Sequence, residues 1–409
     1  MSKKSILLIC SSFYPFNTSG ALRLHAFARG LINHGYSVHV LTVDTPDLHH
    51  HQVQNGTFPE KEKLNISRSR ALDITEILSY RGKYPSFLCT PDRYWPWFAF
   101  SFKKASALIK THNIVYVLSS SPVQTSHLIA AYAKKKCKVR WIADFRDPWL
   151  YSKLHNGHSG AQLLLEACLE RYVVESSDII TVTNNRFRHY LQQRYHKGQI
   201  QVIQNGFNES DFLESRTVGN RSKCTLLHAG NMYSTIRDPS ALFEAISQLK
   251  NEGAVNRENL MLSLLGPGEA YESEAFSKEL MNLGIDDLVE ISSRIPHTAS
   301  IQRMLGSDCL ILLQCADFLQ FQIPAKAYEY VRCRKPILAM VSHGATSDFL
   351  KEINPHWILS PEDTKGIKAF IKKIINNDPS IQNSCSLETL SQFERSNQTS
   401  KLVDILDSW

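Results

Sequence analysis

A chain of 409 residues with 43% hydrophobic and 21% charged residues suits two globular domains of roughly 200 residues each, and no apolar run reaches the ~18 residues of a membrane-spanning helix. Nine scattered cysteines without a C-x-x-C pair argue against a disulfide framework or a cysteine-based zinc site and predict a reducing, cytoplasmic setting. Residues 1–200 carry 26 Lys/Arg and 13 Asp/Glu, a balance of +13, whereas residues 201–409 carry 20 and 26, a balance of −6. The basic half suits an anionic partner, either a phosphate-bearing substrate or an anionic membrane surface. No nucleic-acid motif accompanies the charge, so no nucleic acid is expected.

Residues 5–10 (SILLIC) read as a buried first strand rather than a signal peptide. A loop over 11–20 leads into a helix over 21–35, with Leu24, Phe27, Leu31 and Ile32 at helical spacing and Gly35 as its C-cap. Residues 37–43 alternate as a second strand. Ligands of such a βαβ opening bind at the carboxyl ends of strands, so Asn17, Thr18, Ser19 and Gly20 line a candidate pocket. The loop is not G-x-G-x-x-G and gives a dinucleotide little support. Residues 45–90 are polar and read as irregular, with His49, His50 and His51 in a solvated loop. Residues 91–112 set Trp95, Trp97, Phe98, Phe100 and Phe102 beside Lys103 and Lys104. That fits either a buried, partly helical element with a basic outer face or a surface resting on a membrane interface.

Strands follow at 113–120 and 139–145, separated by a helix ending in KKKCK. Asp144, Arg146 and Asp147 stand at the carboxyl end of the second of these. Three readings are open: metal chelation by Asp144 and Asp147, a carboxylate–arginine group facing an acceptor, or a structural turn before Pro148. A carboxylate here could take a proton from a hydroxyl nucleophile. A helix over 161–176, a strand over 178–184, a basic helix over 186–195 and a strand ending at Asn205–Gly206 complete a first domain, 1–207. Polar residues 208–222 read as a linker to a second domain, 223–385.

There the alternation restarts, with strands near 224–230, 260–265, 288–292 and 309–315. Asp238 caps a helix whose first position is Pro239. Pro324 opens a further helix carrying Lys326 and Glu329, and Pro336 opens the strand PILAM. Gly230, Asn231, Arg237, Lys326 and Glu329 fall at strand ends. The set suits a nucleoside diphosphate, with backbone N–H groups and arginine for the phosphates and a carboxylate for the ribose hydroxyls. The fold class is α/β with two doubly wound sheets, which implies a cleft between them.

The segments SFYPFNTSGALRLHAFARGL, VRWIADFRDPW, VIQNGFN, LLHAGNMYSTIRDP and IPAKAYEYVRCRKPILA resemble, in order and spacing, the bacterial glycosyltransferases of the GT-B fold, family 4, retaining type. The resemblance implies two Rossmann-like domains facing a cleft, with a last helix (386–409) crossing back to the first. It implies a nucleotide-diphosphate sugar donor in the C-terminal domain, a glycan or lipid-linked acceptor on the N-terminal domain, and no metal or other cofactor. Glu329 matches the second glutamate of the family's E-x7-E motif, which holds the ribose, and Arg237 the basic residue on the diphosphate. Asn231 stands where a second basic residue often occurs. Lys326 and the helix start at Pro324 add phosphate contact, and Ile295 lies in the loop that meets the base. Gly20 belongs to a loop that approaches the donor phosphates. Asp147 with Arg146 occupies the acceptor-side region, with Asn17, Ser19 and Asp144 around it.

One departure is Phe321, which replaces the first glutamate of the motif and leaves Asp317 as the nearest carboxylate to take over its contact. The implied setting is surface-polysaccharide synthesis in the cytoplasm, peripheral on the inner membrane face. Two rivals share the donor site: a sugar-nucleotide epimerase or hydrolase, and a non-catalytic subunit of the same fold.

Overall fold

The computed structural model describes residues 4–16, 18–44, 64–80, 84, 86–155, 158, 160–196, 198–213, 223–232, 236–383 and 385–409. Asn17, the three histidines at 49–51 and residues 214–222 of the expected linker lie outside the described residues. The chain divides into two compact units, Met1–Asn205 with Arg395–Trp409, and Gly206–Glu394.

The first unit is built on seven parallel strands: β1 (Ser5–Ile9), β2 (Ser37–Asp44), β3 (Asn65–Arg70), β4 (Tyr116–Ser120), β5 (Arg140–Phe145), β6 (Ile179–Val182) and β7 (Ile200–Val202). Their order is β3-β2-β1-β4-β5-β6-β7, so the winding reverses between β1 and β4. Helices cover both faces, which is why β1 and β4 are buried along their whole length. Helix α1 (Ser19–Asn33) is capped by Thr18, whose hydroxyl accepts from Ala21 N at 3.2 Å. It ends where Tyr36 N bonds Leu31 O and Gly35 N bonds Ile32 O, a closure that needs the φ of +84° at Gly35.

β3 corrects the reading of 45–90 as irregular. It pairs with β2 from His39↔Asn65 to Asp44↔Arg70. As an edge strand it buries little, so its sequence NISRSR carries no apolar alternation, and its charges guard the open edge. Helix α2 (Trp97–Thr111) buries Trp97, Ser101, Ala105 and Ile109 and turns Phe100 and Lys103 outward, which is the partly buried helix with a basic outer face. Helices α3 (Thr125–Cys137), α4 (Gly160–Ser176) and α5 (Asn185–Tyr195) follow. The final helix, Arg395–Asp407, adds Leu402, Val403 and Leu406 to the core formed by Leu24, Phe27 and Leu31 of α1. Gly30 makes that contact close, since a Cβ there would lie 2.3 Å from the Thr399 methyl.

The second unit holds β8 (Cys224–Ala229), β9 (Leu260–Leu265), β10 (Val289–Ser292), β11 (Cys309–Gln314), β12 (Ile337–Val341) and β13 (Ile358–Leu359). All pairs are parallel and the order is β10-β9-β8-β11-β12-β13, which repeats the winding of the first sheet with its reversal between β8 and β11. Helix α6 (Ser240–Asn251) begins one residue later than expected, with Pro239 at the cap and the Asp238 carboxylate accepting from Ser240 N at 2.9 Å. Helix α7 (His297–Leu305) follows β10, and α8 (Ala325–Arg332) follows β11. Pro324 is the extended residue before α8, with ψ of 140°, rather than its first helical position.

Candidate active-site residues

In the second unit, β8 delivers its carboxyl end to the reversal point of the sheet. Gly230 turns the chain there with φ of +105°, a conformation that favours glycine, and its N–H bonds Leu265 O at 2.8 Å. The Lys326 ammonium reaches back from α8 to the same place, donating to Ala229 O at 3.1 Å and lying 3.4 Å from His228 Nε2. Arg237 donates through Nη1 to Asn231 O at 2.6 Å. Gly230, Asn231, Arg237 and Lys326 are thus brought together.

Their electrostatics are one-sided. Burial and the charge of Arg237 hold the Lys326 ammonium well below the usual lysine range, with Glu329 pulling the other way. Burial and Lys326 likewise keep His228 neutral. Its Nδ1 lies 3.1 Å from Ile311 O and its Nε2 3.0 Å from Gly230 O, so the neutral ring donates to one of these two carbonyls. Two cationic side chains at one strand end, next to backbone amides, form a site short of negative charge.

Glu329 lies one turn after Lys326 and is only 8% exposed. Its Oε1 pairs with His297 Nε2 at 3.0 Å, and His297 Nδ1 lies 3.7 Å from the Asp211 carboxylate. His297 opens α7 two residues after Ile295, which rests half-buried on the core of this unit. Sequence reasoning alone does not single out His297. Its only signal there is a histidine directly after the IP pair that ends the β10 loop. Phe321 is buried, and Asp317 sits exposed in a short turn, Asp317–Leu319.

In the first unit Asp144, Arg146 and Asp147 stand at the carboxyl end of β5, next to β4. Asp144 is wholly buried. Its carboxylate accepts from Arg23 Nε (3.2 Å) and Nη2 (2.9 Å), from Thr181 Oγ1 (2.7 Å) and from Ser120 Oγ (2.8 Å). Burial alone would raise its pKa; the arginine and the two hydroxyls outweigh that and hold it below the usual carboxylate range. Arg23 also donates to Ile203 O and Gln204 O, both at 2.8 Å, so the pair ties α1 to the ends of four strands, β4 to β7. Chelation of a metal by Asp144 would have to break bonds of this network. Its geometry assigns Asp144 to holding the strand ends rather than to an acceptor.

Arg146 and Asp147 are half-buried just beyond. Arg146 Nε donates to Ser121 O, and its backbone O accepts from Thr183 Oγ1 at 3.2 Å. The guanidinium lies against the first turn of α1: a Cβ on Gly20 would sit 1.7 Å from Arg146 Nη1. Gly20 is therefore a buried helical residue that makes room for Arg146. Ser19 is exposed in the same turn. Burial pushes the Asp147 carboxyl up, opposed by Arg146 and reinforced by the charge of Asp144.

Two Rossmann-like units in one chain, each with polar groups at the carboxyl ends of its strands, define the GT-B architecture. Solved structures agree over the full length. Sucrose-phosphate synthase from Thermosynechococcus elongatus matches with a TM-score of 0.71 at 14% identity, covering 99% of each chain. Anabaena HepE in complex with UDP matches with a TM-score of 0.68 at 14% identity, covering 99% of this chain and 100% of that one. A lipopolysaccharide outer core galactosyltransferase matches with a TM-score of 0.64 at 13% identity, covering 99% of each. No curated protein matches the chain by sequence. Residues 21–211 match the family model described as Glycosyltransferase Family 4. Over residues 21–211 the first unit is thus similar to the family 4 glycosyltransferases, and the whole chain has the fold of these solved structures.

Proposed function

We propose that this chain is a retaining, metal-independent glycosyltransferase that moves a sugar from a nucleoside-diphosphate sugar to a hydroxyl of a glycan or lipid-linked acceptor. The setting is surface-polysaccharide synthesis, in the cytoplasm at the inner face of the membrane. The observation that carries the reading is the convergence of Arg237 and Lys326 on the glycine turn after β8, with the Glu329 carboxylate one helical turn away. Donor binding belongs to the unit Gly206–Glu394 and acceptor binding to the other.

As the glycosidic bond breaks, the departing diphosphate gains negative charge. Arg237, Lys326 and the amides at the start of α8 stabilise it, which is the work a metal ion does elsewhere. Glu329, held by His297, accepts from the ribose hydroxyls. Ile295 and its neighbours meet the base. In the first unit Asp147, whose pKa is raised, is the better placed of the two aspartates to receive the acceptor proton, and Arg146 orients it. The acceptor attacks on the face the diphosphate leaves, giving retention. With Phe321 in place of a glutamate, Asp317 is the remaining carboxylate for the sugar ring.

UDP, which occupies HepE, makes UDP-sugars the first donors to try. Arg237→Ala should abolish transfer and weaken nucleotide binding; parental rates would sink the assignment. Incubation with donor alone separates the rivals: an epimer or free sugar formed without acceptor favours an epimerase or hydrolase.

A further inference from the structure

The chain leaves Asp147 by a short helix, Trp149–His155. Pro148 stands between them, and its carbonyl accepts from Ser152 N at 2.9 Å to start the first turn. Asp147 therefore sits between two fixed points. Before it, Arg146 is held to the strand ends: its N–H donates to Ser121 Oγ at 3.3 Å, and its O accepts from Thr183 Oγ1. After it, the first turn of the short helix is held from α4.

Two carboxylates do this holding. Glu166 and Glu170 lie one turn apart on α4, and both are wholly buried. Glu166 Oε2 accepts from Trp149 Nε1 at 2.6 Å, and Glu170 Oε2 accepts from Leu150 N at 2.7 Å. Glu170 Oε1 also accepts from the Tyr195 hydroxyl at the end of α5, with Arg194 Nε 3.7 Å away. Lys153 Nζ, from the short helix itself, and His158 Nδ1 lie 3.7 Å and 3.9 Å from Glu166 Oε1. Like charges four residues apart on a helix repel, and each carboxylate loses its hydration on burial. A pair of leucines would fill the same space without either cost. What the carboxylates add is two acceptors aimed at successive residues, Trp149 and Leu150, directly after the candidate base.

We propose that Glu166 and Glu170 are positioning residues for Asp147: by holding Trp149 and Leu150 they fix the turn that sets where the Asp147 carboxyl stands. The proposal deepens the reading above and rests on it for the role of Asp147 as proton acceptor.

The test is a pH titration of the full chain labelled with carbon-13 at its aspartate carboxyls, which reads the placement without any substrate. Burial, the larger influence, holds the Asp147 carboxyl above its ordinary range, and Arg146 and Asp144 are the charges that act on it. Its resonance is the one that Asp147→Asn removes. Glu170→Met keeps the volume and removes the acceptor, so the Asp147 resonance should titrate at lower pH as the loosened turn admits water. Glu170→Gln loses the same charge but still accepts from Leu150 N, and should titrate like the parent. Glu166→Met should repeat the downward shift. If a methionine variant fails to fold, Trp149→Phe, which removes the N–H that Glu166 receives, should show it instead. The Asp144 resonance should stay in place throughout, which separates a loosened turn from a damaged sheet. In UDP release from UDP-glucose, the methionine variants should lose at least about tenfold in kcat with the donor KM within about twofold. An Asp147 resonance that titrates alike in Glu170→Met, Glu166→Met and the parent would overturn the proposal. Asp147→Asn at the parental rate would instead overturn the reading on which it rests.

Discussion

His297 offers the sharpest test of how the second unit holds a nucleotide. Replacing it with alanine removes the group that sits 3.0 Å from Glu329 Oε1 and leaves a carboxylate only 8% exposed without that contact. A hydrogen bond to a charged group contributes about 1.5–3 kcal/mol, and an unsatisfied buried partner costs on the same order. Part of that loss falls on folding: for a unit of this size about 2 kcal/mol lowers Tm by roughly 4–8 °C. The rest falls on donor binding, because the carboxylate must be ordered before the ribose hydroxyls can donate to it. The donor KM and the UDP inhibition constant should both rise roughly tenfold, about 1.4 kcal/mol. The kcat should stay within about twofold, since Glu329 touches the ribose and not the bond that breaks. His297→Gln keeps an N–H and should recover most of the KM. Steady-state kinetics with varied donor and a thermal melt of each variant measure all three quantities. An unchanged KM with an unchanged melt in His297→Ala would refute the coupling, as would a kcat that falls alone.

Three other outcomes follow from the geometry. Gly20→Ala places a Cβ 1.7 Å from Arg146 Nη1 and must displace the guanidinium; transfer should fall at least tenfold while UDP binding to the other unit is kept, and a drop in UDP affinity would contradict this. Lys326, depressed by burial and Arg237, should be pulled back up by a bound diphosphate. Because the complex then has the higher pKa, binding takes up a proton and affinity falls as pH rises between the free and bound values; calorimetry in buffers of different ionisation enthalpy reads the uptake, and no uptake at any pH refutes it. Asp144→Asn breaks a wholly buried ion pair and strands Arg23, so it should destabilise the first unit by about 3–5 kcal/mol; a melt within about 1 kcal/mol of the parent would mean Asp144 does not hold the strand ends.

The sheets were legible because a strand covered on both faces must be apolar along its length, and SILLI, CLILLQ and ILAMV are. The edge strand β3 escapes that rule, since NISRSR is not required to bury much. At the site, Gly230, Arg237, Lys326 and Glu329 could be read from strand ends and from the resemblance. The partners could not. Arg23 and Asp144 are 121 residues apart in sequence, and His297 and Glu329 are 32 apart. A carboxylate's role depends on what neutralises it, and tertiary structure alone decides that. Asp144 therefore looked as much like a ligand as an anchor. Gly20 was singled out as a residue near phosphate, and its actual neighbour, an arginine from another strand end, leaves no local trace.

The final helix gives the chain an unusual order of assembly. Leu24, Phe27 and Leu31 of α1 precede the second unit in the chain, yet Leu402, Val403 and Leu406, which complete their core, follow it. A ribosome must therefore finish the whole second unit before the first can close. During that interval one flank of α1 stays bare, which gives chaperones a target. A fragment stopping at residue 205 would keep that flank permanently uncovered; splicing 395–409 after it is the rational way to obtain the first unit as a folding module.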